Sequence, residues 1–345
     1  MANATFGLDI GTTTLKSVWF EQKKDSYIVK SAFASKAPVS GMTSSSPLDE
    51  EQMAKAIRDH VVEAKIGTRN VHIALADNLV YTKVIAMPML SDKELEQAIF
   101  WEAEQYIPAP LSTIMLDHVV LRKNIQSSEG PRMEVLLVGA PTVTLQKYQK
   151  IIEMAGLSVG SIETEMLAAV RAIVSSATFP ISLLVNIGNL NTSVAIVQQG
   201  IVVFAYTVPI GSVSITRAIA SDFGFTPEQA DEYKKAYGIS DQNVGVKIKR
   251  SVEPILSSLV GEVKKALAYY VQQYRGELPI TQIVLSGGTA KLPGIDAYFV
   301  NTVGLETVVV NPWKSLQIEG VPQAYADEGP EFTVAIGLGL KGNEH

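Results

Sequence analysis

Cysteine is missing altogether from this 345-residue chain, so neither a disulfide nor a thiolate metal site can form. The four histidines, His60, His72, His118 and His345, are scattered without ligand spacing, which removes the usual zinc arrangements as well. A basic surplus is also lacking: 29 Lys and Arg stand against 35 Asp and Glu, and the net charge of -6 opposes attraction to nucleic acid or anionic lipid. No apolar run approaches the roughly 18 residues that span a bilayer. The opening Met1-Ala2-Asn3-Ala4-Thr5 lacks the charged and apolar regions of a secretion signal. The expectation is a cytosolic protein, 47% hydrophobic and 19% charged, long enough for more than one core.

What is present is strand and helix in alternation. Residues 6–11 read as an apolar strand entering a glycine turn, and 15–20 as its partner after the polar tip Thr12-Thr13-Thr14, giving a β-hairpin. A helix is expected over 48–65, then two strands within 71–88. Ser91 and Glu94 form a capping box for a helix that runs to Tyr106 and is stopped by Pro108 and Pro110. Strands over 114–122 and 132–139 and a helix over 142–155 complete a compact unit that reads as an insertion. The apolar strand 181–187 and the polar turn after it then repeat the first hairpin, with Val185-Asn186-Ile187-Gly188 matching Leu8-Asp9-Ile10-Gly11. A duplicated domain follows from that repeat. Helices are expected from Gly211 to Phe223, over 226–237 and over 251–274, the last with a buried stripe of Ile255, Leu259, Val263, Leu267 and Val271. A buried strand over 280–285 ends in Ser286-Gly287-Gly288-Thr289, and the apolar segment 332–340 is too short and glycine-rich for a membrane anchor.

Phosphates are held by backbone N–H groups that approach closely and by small or hydroxyl side chains, with a carboxylate nearby to hold hydrated Mg²⁺. Asp9, Gly11, Thr12, Thr13 and Lys16 offer this set in one hairpin, which alone reads equally as a surface hairpin with an incidental acid. The second hairpin, with Asn186, Gly188, Asn191 and Thr192, and the third turn, with Gly287, Gly288 and Thr289, each follow a strand where a symmetric two-domain clamp needs them.

With these three motifs the chain resembles the actin-like ATP-binding superfamily, 8–17 and 185–193 standing as its phosphate motifs and 283–292 as its adenosine motif. The resemblance implies an α/β fold of two duplicated actin-like (ribonuclease H-like) domains binding ATP or ADP with Mg²⁺. It gives Asp9 and Asn186 a metal role through water, Lys16 an approach to the phosphates and Lys234, in Ala230-Asp231-Glu232-Tyr233-Lys234, a contact with adenosine. Glu165, opening the connecting helix, would be the general base or water-orienting residue. Glu165 also reads as a helix-start acid favoured by the dipole, and Lys234 as part of a solvated helix face. Asn186 departs from the superfamily's aspartate and carries no charge for the metal, so slow or absent hydrolysis is expected.

The acidic helix ending Tyr106-Ile107-Pro108, followed by Leu116-Asp117, resembles the PilM family, and does so over nearly the whole length. Membership implies an inserted FtsA/PilM-type 1C subdomain over 79–160, a first domain of 1–78 and 161–180 with 331–345 packing back on it, a second of 181–215 and 277–330, and a helical subdomain over 216–276. It implies a cytoplasmic adaptor, peripheral to the inner membrane, of a type IV pilus or related type II secretion platform. That adaptor would bind the N-terminal cytoplasmic peptide of a PilN-like bitopic protein, with pilus motor ATPases as further partners. Phe100, Trp101, Tyr106 and Ile107 are candidate groove lining or simply core of their helix. The competing readings are an actin-superfamily ATPase or kinase and a filament-forming FtsA-like protein.

Overall fold

The N-terminal strands form a ribbon of three rather than a lone hairpin. In the computed structural model, which describes residues 4–23, 26–39, 41–125, 130–174, 179–240, 244–274 and 278–341, β1 (Thr5–Ile10) pairs antiparallel with β2 (Thr14–Lys23), and β2 with β3 (Ser26–Lys36). The sequence reading passes over β3 because its Ser, Lys and Ala content carries a weak apolar pattern. Helix α1 (Pro47–Glu63) has proline at its first position, where the missing N–H costs nothing. It leads to β4 (Asn70–Leu75), parallel to β1.

A separate three-stranded sheet then forms from β5 (Tyr81–Pro88), β6 (Ile114–Ile125) and β7 (Arg132–Pro141), in the order β5-β7-β6. Helix α2 (Asp92–Tyr106) lies on it, opened by the expected capping box, in which Glu94 accepts the Ser91 N–H at 2.8 Å. Leu95, Ile99 and Ala103 meet Ile85, Met87, Met133 and Val135 in a small core of their own. Helix α3 (Thr142–Met154) faces the other way: Tyr148, Ile151 and Ile152 join Leu8, Ile57 and Ile73 in the first core. The chain returns through β8 (Ser158–Thr164), parallel to β4, and enters α4 (Glu165–Ile173).

The second half repeats the plan. Strands β9 (Ser182–Ile187), β10 (Thr192–Gln198) and β11 (Ile201–Val208) make an antiparallel ribbon, and β9 then pairs parallel with β12 (Gln282–Ser286). Between them run α5 (Ser212–Phe223), α6 (Pro227–Tyr237) and α7 (Val244–Gln273); after them come α8 (Ile295–Val303) and β13 (Glu306–Val309), parallel to β12. The orders β3-β2-β1-β4-β8 and β11-β10-β9-β12-β13 are the same order twice, so the short sequence repeat is the visible part of a duplicated architecture.

The face of α7 differs from the expected stripe. Ile248, Val252, Leu256, Val263 and Tyr270 are buried, whereas Val271 is 68% exposed. A strict four-residue step advances about 400° and so drifts about 40° per step, which carries a long stripe off the buried face. After the short α9 (Pro312–Ser315), α10 (Gly329–Lys341) crosses β1, β2 and α4. It comes close enough to α4 that a Cβ on Gly337 would overlap the Ala168 carbonyl. Residues 342–345 of the expected C-terminal segment lie outside the described residues, as do 175–178, 241–243 and 275–277. Among the described residues no helix is long and apolar enough to cross a membrane.

Candidate functional site

The carboxyl ends of adjacent parallel strands gather polar groups that no sheet bond uses, which is where open α/β sheets bind ligands. In the first sheet β1, β4 and β8 are neighbours, and at their ends stand Asp9, Asp77 and Glu165. Asp9 is opposite Lys16 across the β1–β2 ladder, with Lys16 Nζ 3.9 Å from Asp9 Oδ2 and donating to Thr14 Oγ1 at 3.0 Å. Burial nevertheless pushes the Asp9 carboxyl above its ordinary range, against the pull of Lys16. Glu165 is pushed up further, by burial first and then by the charges of Asp77 and Asp9. The Lys16 charge therefore pulls on both Asp9 and Glu165 and outweighs burial at neither.

Asp77 was not singled out in the sequence. Its Oδ1 accepts the Met166 N–H at 3.1 Å, at the start of α4, and among the described residues no donor meets its buried Oδ2 at hydrogen-bond distance and angle, Ser193 and Thr164 standing near it. Burial raises its pKa, and the Ser193, Met166 and Thr164 donors oppose that rise. The signal that finds it is positional: an acid directly after a strand that lies beside the Asp9 strand in the same parallel sheet.

The two hairpin turns are built alike. Gly11 N–H donates to Thr14 O at 3.0 Å and Gly188 N–H to Asn191 O at 2.9 Å, and Asn189 Nδ2 reaches across to Thr12 Oγ1 at 2.9 Å. Thr12 and Thr13 are exposed at the first tip. Thr192 is fully buried and its hydroxyl donates to Ile210 O at 2.7 Å, so it braces the second turn from within. Asn186, the counterpart of Asp9, accepts from Ser286 Oγ at 3.2 Å. Gly287, at φ +83°, passes so near that an added Cβ would stand 2.8 Å from Asn186 Oδ1. Thr289 Oγ1 lies 3.4 Å from Gly188 O, which ties the third turn to the second. Gly288 faces the side chain of Glu331 on α10.

Lys234 does not lie on a solvated face. It is 5% exposed, and its Nζ donates to Ser212 Oγ at 2.6 Å, Thr216 Oγ1 at 2.8 Å and Asp231 Oδ1 at 2.6 Å, which uses all three ammonium protons. Its stem stays in the second core while its head fixes α5 to α6.

These residues suit a polyphosphate with a divalent ion. Two glycine turns face each other, and the crowded carboxyl groups, held above their ordinary range chiefly by burial, would ionise against a bound cation. Among the described residues no three acidic or histidine side chains form an ion cage.

A concavity of about 510 Å³ adjoins Asp77. It is walled by β5, by Tyr106 and Ile107 at the end of α2, by Thr164, Met166 and Leu167 at the start of α4, and by residues of β10 and β11. Phe100 and Trp101, 45% and 68% exposed, are not part of its lining.

Comparison with known proteins agrees with this architecture. A chain of a PilM-PilN type IV pilus biogenesis complex superposes with a TM-score of 0.85 at 25% identity, covering 100% of both chains. MreB 5 of Spiroplasma citri bound to AMPPNP superposes with a TM-score of 0.53 at 14% identity, covering 98% of this chain and 95% of that one, and shares the fold. The cell division protein FtsA of Bacillus subtilis (strain 168) is 22% identical over 333 residues, 84% of this chain and 74% of FtsA. The profile of the type IV pilus assembly protein PilM matches residues 7–343. With two like-ordered sheets, the inserted three-stranded unit and a match over nearly its whole length, the chain belongs to the type IV pilus assembly protein PilM family.

Proposed function

We propose that the chain is a nucleotide-binding adaptor of the type IV pilus inner-membrane platform, holding ATP or ADP with Mg²⁺ between its two hairpin turns and a peptide of a PilN-like partner in the neighbouring cavity. The observation that carries the reading is the cavity's position: the unit inserted in the first half, the start of α4 beside Glu165 and the second sheet all wall it at once. A segment seated there touches every body whose relative placement the nucleotide site senses.

In this reading Gly11, Thr12 and Thr13 approach the phosphates from one half and Gly188 and Asn191 from the other, while Lys16 offsets charge and Asp9 orients metal-bound water. Asn186 takes part by hydrogen bonding alone. Gly287, Gly288 and Thr289 form the adenosine edge, with Lys234 holding the α5–α6 wall. When bound, the Mg²⁺-nucleotide supplies charge whose preference for one arrangement of the halves sets how far it can bias partner affinity. Glu165, opening α4, would orient or deprotonate water. The uncharged Asn186 favours a clamp over a rapid ATPase.

Calorimetric titration with a synthetic peptide of the PilN-family partner's cytoplasmic N-terminus, with and without Mg-ATP, tests the proposal. Saturable peptide binding whose affinity changes with nucleotide is expected. Normal ATP binding with no peptide binding would send the assignment to the kinase or filament readings, and turnover at the rate of a working kinase would remove the clamp.

A further inference from the structure

The second turn offers Gly188, Asn191 and Thr192 as its motif residues, yet the side chain that crosses to the first half is that of Asn189. Asn191 serves its own turn through the carbonyl that accepts the Gly188 N–H, and the Thr192 hydroxyl is engaged with Ile210 O. Asn189 Nδ2 donates to Thr12 Oγ1 at 2.9 Å, tip to tip across the cleft between the hairpins.

Both ends of this bond sit on braced backbone. The Thr13 carbonyl, next to Thr12, accepts the Ala37 N–H at 3.0 Å, which pins the first tip to the chain just past β3. On the other side the Gly188 and Asn189 carbonyls accept the Ser212 and Val213 N–H groups, each at 3.0 Å. A Cβ on Gly211 would stand 2.5 Å from Asn189 O, so the turn and the start of α5 pack backbone to backbone. The two tips therefore do not drift together by chance of loose loops: the bond joins one braced turn to another.

A phosphate held from both sides needs a hydrogen bond of about 2.7–3.2 Å on each, so two donors that share one must stand roughly 5 Å apart or more. At 2.9 Å the tips leave no such room. Phosphate oxygens only accept, whereas the Asn189 amide carries two N–H groups and Thr12 one O–H. A bond to an anion is roughly twice as strong as one between neutral groups, so a phosphate wins the amide from the threonine hydroxyl. We propose that the Asn189–Thr12 bond is a latch across the cleft, and that a phosphate group of the nucleotide opens it by taking the Asn189 amide. This rests on the nucleotide-binding reading and adds to it the residue that gates entry.

The test follows binding of Mg-ATP carrying a fluorescent N-methylanthraniloyl group to the full chain by stopped flow. One net hydrogen bond favours the closed contact over the open one by about two- to tenfold, and a ligand that needs the open form is slowed by that factor. Thr12→Val and Asn189→Ala should each speed association about two- to tenfold, and the double variant no more than either single one, because both remove the same bond. Thr12→Ser, which carries the hydroxyl, should rescue the rate. Asn189→Ala should also speed dissociation at least threefold, since the bound phosphate loses its amide donor. With nitrogen-15 asparagine and no nucleotide added, the Asn189 side-chain amide protons should exchange with water at least fivefold faster in Thr12→Val than in the unaltered chain. Unchanged association in the single variants, additive gains in the double one, or equal exchange of that amide overturns the latch while leaving nucleotide binding intact. Unchanged dissociation in Asn189→Ala overturns the transfer of the amide to phosphate. Failure of the unaltered chain to bind the labelled Mg-ATP, and Mg-ATP itself by calorimetry, overturns both the latch and the nucleotide reading.

Discussion

Three carboxyl groups sharing one buried corner fix how this site responds to pH. Asp9, Asp77 and Glu165 are all raised, chiefly by burial, so without a cation they retain protons that free side chains would have lost. For such groups the folded state binds protons more tightly than the unfolded state. Their contribution to stability is complete below the unfolded carboxylate values and is lost as pH rises through the raised ones. An ion placed there demands the ionised forms. Binding of Mg-ATP is therefore expected to release protons at pH values below the raised carboxyl ranges and to tighten as pH rises there, by up to about tenfold per pH unit for each proton released. Calorimetry in buffers of different ionisation heat reads that release directly. Asp9→Asn should lower Mg-ATP affinity roughly 10- to 100-fold and diminish the proton release. Pure phosphate contact with no ion would give neither effect.

Elements were legible where local chemistry was strong. The capping box of α2, the proline-started α6 and both glycine hairpins carry their own signals, and each appears where the residues place it. Strands β3, β8 and β11 did not stand out, because their partly exposed residues alternate weakly, and β8 in addition is completed by β4, far along the chain. Asp77 was hidden for the same reason, since only the parallel pairing of β1 with β4 brings it beside Asp9. The contact of α10 with α4 was likewise beyond reach. Gly337 lets the two helices touch backbone to backbone, and Arg171 Nη1 donates to Gly337 O at 3.1 Å and to Glu163 Oε1 at 2.6 Å to fasten the crossing. Gly337→Ala gains helix propensity, yet the added methyl meets carbonyl rather than a side chain that can swing aside. A net loss of about 3 kcal/mol is expected, at the upper end of overpacking costs, and chemical denaturation would measure it. A stabilised variant would show that α10 does not sit so tightly on α4.

At the scale of the whole molecule, the inserted sheet is fastened to the second half by Arg122. Its Nε donates to Glu134 Oε2 at 2.8 Å, its Nη1 lies 3.4 Å from Gln198 Oε1, and its guanidinium stands 5.6 Å from the Tyr274 ring centre. Arg122→Met keeps most of the stem but strands the Glu134 carboxylate, at a cost of about 3 kcal/mol. Amide exchange should quicken in β6 and β10 together; quickening confined to β6 and β7 would mean the arginine serves only its own sheet. The placement of α10 bears on a different matter, the order in which the protein is made. Its buried face covers β1 and β2, and its first turn reaches the other half, where Pro330 O accepts the Gly287 N–H at 2.8 Å. A ribosome delivers β1 first and α10 only after both sheets have emerged, so the nascent first sheet waits with an apolar face bare. Chains cut short before 329 would keep that face exposed, leaving a natural mark by which quality control distinguishes an unfinished molecule from a finished one.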